Sequence, residues 1–222
     1  MTHADHIYQG GNILTMDANM LMAEAIAIKN GRILAIGSDH EVLNLSGPGT
    51  KTTNLHGQFV MPGLVESHTH ALWGACRDLF DVYVGYNATF EMLIDAVRTR
   101  VRQLAPGDFI YGGPWRLDMR GAMGNDPKLV LDNISTSHPI ILADTSQHII
   151  WCNSKALDAA GLVPGVADIP GGVIERTSNG VPNGILAESA GAPVRALLTR
   201  SESQLAKAAR EFTRYFNSLG IT

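Results

Sequence analysis

The segment His68-Thr69-His70 is the part of the sequence whose residue types and spacing point most directly to chemistry. On a β-strand, residues two apart project from the same face, so both imidazoles can meet one metal ion from one side. Imidazole nitrogen is a common ligand of zinc. Leu64 and Val65 precede the motif, and an apolar strand that ends in polar residues is where α/β barrels place catalytic groups. The pattern therefore predicts a metal site at His68 and His70.

Two nearby side chains have more than one interpretation. Glu66 lies on the same face of the predicted strand as His68, where it can orient an imidazole or simply be a polar group at the strand start. Cys76 follows the motif and can either pack locally or act as a metal ligand. Local packing is the simpler of these two interpretations. Together with Cys152, Cys76 is one of only two cysteines, which argues against a disulfide framework.

The composition narrows the class of protein. The chain has 222 residues, of which 45% are hydrophobic and 17% charged, and its net charge is -4. This hydrophobicity excludes a disordered chain, and the absence of a basic excess argues against a nucleic-acid partner. No apolar stretch reaches the length of a membrane span, and the first residues lack the features of a signal peptide. A soluble protein in the cytoplasm is therefore predicted, without a membrane partner.

Local patterns predict the elements that must position these residues. About five short strands are predicted in the first sixty residues, two of them joined as a hairpin by Asn30–Gly31. Apolar residues at helical spacing predict a helix over 89–104. Asn153 is a predicted N-cap, and Ser201 with Gln204 predicts a capping box that opens the last helix. Residues 162–187 are rich in Gly and Pro and predict an irregular loop or a hairpin.

The end of the chain resembles the opening of a further strand. Ile221 and Thr222 follow a helix, and strand–helix–strand order is typical of an α/β layer. An α/β barrel typically needs about 250 residues, so the pattern predicts an unfinished chain that lacks a C-terminal segment. The alternative is that the last helix packs at a natural C-terminus.

Three stretches resemble a known family. Residues 60–70 resemble the signature of the metal-dependent amidohydrolases, in which Pro-Gly, an apolar pair and an acid precede His-x-His. Residues 144–157, and then 170–188, resemble blocks of amidohydrolase family 3, the group that includes N-substituted formamide deformylase. The resemblance extends over nearly the whole chain.

This resemblance implies a (β/α)8 TIM-like barrel beside a β-sandwich built from both chain ends. Residues 1–61 would supply sandwich strands, and residues 62–222 the first barrel strand, a long α/β insertion and the helix before the next strand. One or two divalent metal ions, usually zinc, would bind at His68 and His70, with further ligands from later strands. Family analogy also suggests a homodimer.

The implied activity is hydrolysis of C–N bonds in small amides or N-formyl compounds. In the family, the metal lowers the pKa of a bound water and polarises the carbonyl that is attacked. The alternative is an incomplete, catalytically inactive fragment, or a metal-binding structural half of such an enzyme.

Three further site residues follow from the resemblance. His148 is the predicted catalytic residue, which would contact substrate or stabilise a developing oxyanion. The family often has glycine just before this histidine, and here it is Gln147. Glu188 is predicted to line the substrate pocket or to pair with a basic residue. Trp115 is predicted either to form an apolar wall for the substrate or to be ordinary core.

Overall fold

A computed structural model describes residues 2–222, which divide into two compact units. One unit contains the residues up to Ser67 together with Phe216–Thr222, and the other contains His68–Tyr215. The mixture of helices and strands confirms the predicted α/β class. Within the described residues, no helix combines the length and apolar character that a membrane span requires.

The first unit consists mainly of short strands, as predicted. Its elements are β1 His6–Gln9, β2 Asn12–Asp17, β3 Met20–Ala23, β4 Ala25–Lys29, β5 Arg32–Gly37, α1 Asp39–Leu43, β6 Lys51–Asn54 and β7 Phe59–Val60. They form a four-stranded sheet in the order β5-β4-β1-β6 and a three-stranded sheet in the order β3-β2-β7.

The hairpin predicted at Asn30–Gly31 is confirmed. Lys29 pairs with Arg32 across the two-residue turn that joins β4 to β5. Asn30 has φ 50° and Gly31 has φ 71°, so both residues take the positive φ that a type I′ turn requires. The turn therefore sets the pairing next to it, and the register shifts further along, between Ala27 and Ile28.

The strand predicted at Leu64 is wrong in its extent. Leu64 makes one isolated parallel bridge with Ile221, in which the Leu64 amide donates to the Gly220 carbonyl and the Thr222 amide donates to the Leu64 carbonyl. A strand needs a hydrogen-bonding neighbour along its length, and only this short partner is present in the described chain. His70 instead lies at the N-terminus of the following helix.

The second unit contains one mixed sheet flanked by helices. Its elements are α2 Ala71–Phe80, β8 Val82–Tyr83, α3 Phe90–Val101, β9 Ile110–Trp115, α4 Lys128–Asp132, β10 Ile140–Asp144, β11 Ile149–Cys152, α5 Ser154–Ala159, β12 Gly172–Arg176, β13 Pro182–Glu188, α6 Ala192–Arg195 and α7 Glu202–Ser218, of which the part up to Tyr215 belongs to this unit. The strand order is β12-β13-β11-β10-β9-β8.

This sheet changes from parallel to antiparallel at β10. Strands β8, β9 and β10 run parallel, whereas β11, β13 and β12 are added in antiparallel pairs. The β12–β13 pair lies in the Gly- and Pro-rich region. Of the two structures predicted there, an irregular loop or a hairpin, the structure contains the hairpin. Apolar side chains on both faces form the core, including the fully buried Trp151 and Leu142.

Helix ends in this unit follow the predicted caps. The Asn153 side chain accepts from the Ala156 amide and opens α5. The Ser201 hydroxyl accepts from the Gln204 amide, and the Gln204 side chain accepts from the Ser201 amide, which is a capping box before α7.

An ion pair between Asp81 and Arg200 ties the end of α2 to the segment before α7. Burial raises the pKa of Asp81, although the hydrogen bond and charge of Arg200 oppose that shift. Arg200 also lies over the Phe80 ring, at 5.5 Å from its centroid.

Candidate functional site

The structure brings His148 and Glu188 together, although they are forty residues apart in sequence. Antiparallel pairing of β11 with β13 sets Ile149 opposite Ala187, so His148 and Glu188 are neighbours at the edge of the ladder. The Glu188 amide donates to the His148 carbonyl at 2.8 Å. The His148 Nδ1 lies 2.9 Å from the Glu188 Oε2. A carboxylate at Nδ1 orients an imidazole.

Both side chains are accessible to a ligand. The side chain of His148 is 63% exposed and that of Glu188 is 59% exposed. They line one open cavity of about 600 Å³, together with Gln147, Ser189, Ala192, Arg195 and Ala196. The His148–Glu188 pair can therefore meet a small molecule directly and exchange a proton with it.

The backbone on either side of this pair is strained. Gln147 has φ 66°, and Glu188 has φ 53° with ψ −127°. Residues other than glycine rarely adopt these conformations, and each costs on the order of 1–3 kcal/mol. The glycine that is common in the family before this histidine is thus replaced by a residue in the conformation that glycine favours.

Asp144 builds the turn that presents His148, and sequence reasoning missed it. Its carboxylate is buried, and it accepts from the Ser146 hydroxyl at 2.6 Å and from the Ile149 amide at 3.0 Å. The signal was available, since Asp followed two residues later by Ser at the end of a strand is typical of an Asx turn. Asp144 is therefore a positioning residue for His148.

Substitutions at Gln147 test this strain. We expect Gln147→Val to be less stable than Gln147→Gly by about 1–2 kcal/mol, because a β-branched side chain fits poorly at positive φ. Both variants lack the amide that donates to the Asp144 carbonyl, so their difference isolates the backbone conformation. Urea unfolding of both variants measures it.

The exposed Gln103 serves as the matched control. There we expect Gln103→Gly to be no more stable than Gln103→Val, because Gln103 does not have a positive φ. Equal stabilities of the two Gln147 variants would contradict the interpretation.

His68 and His70 also lie close to each other. Their ring centroids are 5.7 Å apart, the ring planes are nearly perpendicular, and both residues are exposed. Zinc–nitrogen bonds of about 2.0–2.1 Å with tetrahedral geometry would place two such centroids roughly 5 Å apart. The pair therefore fits two ligands of one ion, after a small adjustment of the rings.

Within residues 2–222, no third histidine, cysteine or carboxylate joins this pair in a metal-sized cluster. Glu66 is exposed and belongs to the first unit, so its orienting role stays a prediction. Cys76 is buried, and burial raises the pKa of its thiol, which disfavours the thiolate that a metal needs. Cys76 and Cys152 are both free and buried.

The Trp115 side chain is fully buried in the core of the second unit. Its indole nitrogen donates to the Leu142 carbonyl at 3.1 Å. Trp115 is therefore a core residue in this structure, which is the second of the two roles predicted for it from the sequence. Its role as a wall of the substrate site stays a prediction.

The fold is shared with a solved structure of an uncharacterized metal-dependent hydrolase from Pyrococcus furiosus. The superposition has a TM-score of 0.69 at 23% sequence identity, and it covers 97% of this chain and 42% of that one. At this identity the likeness defines the architecture, and the two units described above have the fold of part of that hydrolase.

The sequence comparisons define the family. The model of the amidohydrolase family matches residues 51–222. Protein LONG AFTER FAR-RED 3 of Arabidopsis thaliana is 34% identical, over 84% of this chain and 32% of that protein. N-substituted formamide deformylase of Arthrobacter pascens is 29% identical, over 81% of this chain and 33% of that protein. The chain belongs to the amidohydrolase family, which confirms the resemblance, and it spans about a third of the length of these relatives.

Proposed function

We propose that this chain carries part of the active site of a metal-dependent hydrolase that cleaves C–N bonds of amides or N-formyl compounds. The single observation that carries the proposal is the His148–Glu188 pair, held at 2.9 Å at the accessible ends of β11 and β13 beside strained backbone. Family membership supports the reaction type, and the deformylase among the relatives supports an N-formyl substrate. The same proposal includes the fold of the whole enzyme, a (β/α)8 barrel beside a β-sandwich, of which this chain supplies the N-terminal part. It also includes a location in the cytoplasm.

His68 and His70 would hold a divalent ion, most simply zinc. When bound, such an ion activates water as a nucleophile and polarises the carbonyl of the substrate. Imidazole is a suitable donor for this ion, and the exposed rings leave room for further ligands. Those ligands would come from outside the residues described.

His148 would act on the substrate through its Nε2. The Nδ1 faces the Glu188 carboxylate, which fixes the ring and leaves Nε2 directed away from that partner. A protonated imidazole there can donate to the developing oxyanion, or it can deliver a proton to the leaving amine. Glu188 stabilises the positive charge on the ring during this step.

The proposal is tested by assaying the purified protein for release of amine from a panel of N-formyl compounds that includes N-benzylformamide. We expect turnover that a chelator suppresses and added zinc restores. His148→Gln should lower kcat by about 10²–10³, because it removes a charged donor or acid. Turnover that is indifferent to the chelator, or the lack of any turnover in the zinc-loaded protein, would contradict the proposal.

The alternative, a metal-binding half without catalysis, is favoured by one observation. Within residues 2–222, only two histidines come together as candidate metal ligands. Zinc binding without amine release would select this alternative.

A further inference from the structure

Arg195 is a charged side chain in the cavity that the proposed chemistry does not use. It is the last residue of α6, and it lines the cavity beside His148 and Glu188. Its Nη2 donates to the Gln147 carbonyl, just before His148. Across residues 2–222, no carboxylate forms an ion pair with its guanidinium. Arg195 therefore has no ion-pair partner among the described residues, although the Glu188 carboxylate lines the same cavity and faces His148.

The surrounding residues fix where this charge lies. A Cβ on Gly191 would come within 2.9 Å of the Arg195 Nη1 and 3.0 Å of the Ile150 Cγ1, so glycine leaves the space that the guanidinium occupies. The charge of Arg195 also acts on the Tyr111 hydroxyl. Burial raises the pKa of Tyr111, and the charge of Arg195 partly opposes this shift. A guanidinium held in this way loses little conformational entropy when it binds a ligand.

The guanidinium of Arg195 can bind a negatively charged ligand. The Glu188 carboxylate is directed at the His148 Nδ1 and forms no ion pair with Arg195. Guanidinium presents five N–H donors in a planar fork. The Gln147 carbonyl and the Tyr111 hydroxyl are its hydrogen-bond partners here, and the remaining donors suit the oxygens of a carboxylate.

We propose that Arg195 binds a carboxylate of the substrate. The substrate class is then an amide or N-formyl compound that carries a carboxylate near the bond to be cleaved. This inference rests on the proposed function, because it places the reacting amide beside His148 in the same cavity.

Binding of two matched probes tests the inference without requiring turnover. N-formylglycine carries the carboxylate, and N-formylglycinamide replaces it with a neutral amide of nearly the same shape. We expect the unaltered protein to prefer N-formylglycine. Arg195→Gln should weaken binding of N-formylglycine by at least about tenfold, as loss of a charge-assisted bidentate contact predicts, and should change binding of the amide less than twofold.

Two further variants separate charge from geometry and from folding. Arg195→Lys keeps the charge without the planar fork, so we expect an intermediate loss for N-formylglycine. Arg98→Gln removes the same charge from the exposed face of α3, where Arg98 pairs with Asp95, and should alter neither probe. Titrations followed by NMR give all the affinities.

Two results would overturn the inference. One is an equal loss for both probes in Arg195→Gln and Arg195→Lys, which would mean that Arg195 only supports the Gln147 backbone. The other is no preference for N-formylglycine in the unaltered protein. If the preference holds but the zinc-loaded protein releases no amine, the proposed function fails alone. If amine is released and the preference is absent, the carboxylate assignment fails alone.

Discussion

Replacing His68 or His70 with alanine is expected to reduce amide hydrolysis by at least about 10³-fold. Each substitution removes one of the two imidazoles that lie 5.7 Å apart and would hold the metal. A catalytic metal ion would contribute several kcal/mol of transition-state stabilisation, and each 1.36 kcal/mol corresponds to a factor of ten in rate. Amine release under saturating substrate, with zinc present in excess, measures the effect.

His40→Ala is the matched control for these variants. His40 is an exposed histidine in the last turn of α1, in the first unit, and it should leave the rate unchanged. Retention of more than about a tenth of the rate in both His68→Ala and His70→Ala would show that the metal is held elsewhere.

Asn153→Ala is expected to destabilise the protein by about 3–5 kcal/mol. The Asn153 side chain is completely buried and makes four hydrogen bonds with backbone groups. Its Oδ1 accepts from the amides of Ile140 and Ala156, and its Nδ2 donates to the carbonyls of Ser135 and His138. Alanine leaves all four groups buried without this partner, and each such group costs about 1–3 kcal/mol before relaxation.

Chemical unfolding of Asn153→Ala beside Asn133→Ala measures this cost. Asn133 is an exposed residue at the end of α4, and its loss should cost less than about 1 kcal/mol.

Asn153→Asp offers an independent test, because its carboxylate can accept from both amides but repels both carbonyls when ionised. Burial raises the pKa of such a carboxyl, so the stability of Asn153→Asp should fall as pH rises above about 4. A loss under about 1 kcal/mol in Asn153→Ala would contradict this account.

The sequence was most informative where local rules decide the structure. The turn at Asn30–Gly31 requires positive φ at two adjacent residues, and the sequence places there two residues that tolerate it. The caps at Asn153 and Ser201 depend on a side chain and an amide only three residues away. Such features need no knowledge of the rest of the fold.

Features that depend on distant partners were harder to predict. The stretch after Leu64 has the composition of a strand, but a strand also needs a neighbour, and Ile221 supplies only one bridge. His148 and Glu188 were each predicted as site residues from the resemblance. Their contact follows from the register of β11 and β13, which no local pattern specifies.

Two positioning groups were missed for different reasons. Asp144 accepts hydrogen bonds from the turn before His148, and Arg195 reaches the Gln147 carbonyl from a helix that begins forty-four residues after His148 in the sequence. The Asp144 turn has a local signature that could have been used. The approach of Arg195 becomes visible only once Gly191 and the sheet edge are placed in space.

The central claim is that His68 and His70 hold a catalytic metal ion, and native mass spectrometry of the purified protein tests it most directly. It reports the mass of the polypeptide, any partner chain and bound metal in one spectrum. We expect one or two zinc-sized increments on the unaltered protein, and their loss when His68 and His70 are both replaced with alanine. An unaltered protein that acquires no metal from excess zinc, or a double variant that retains the same metal, would contradict the claim.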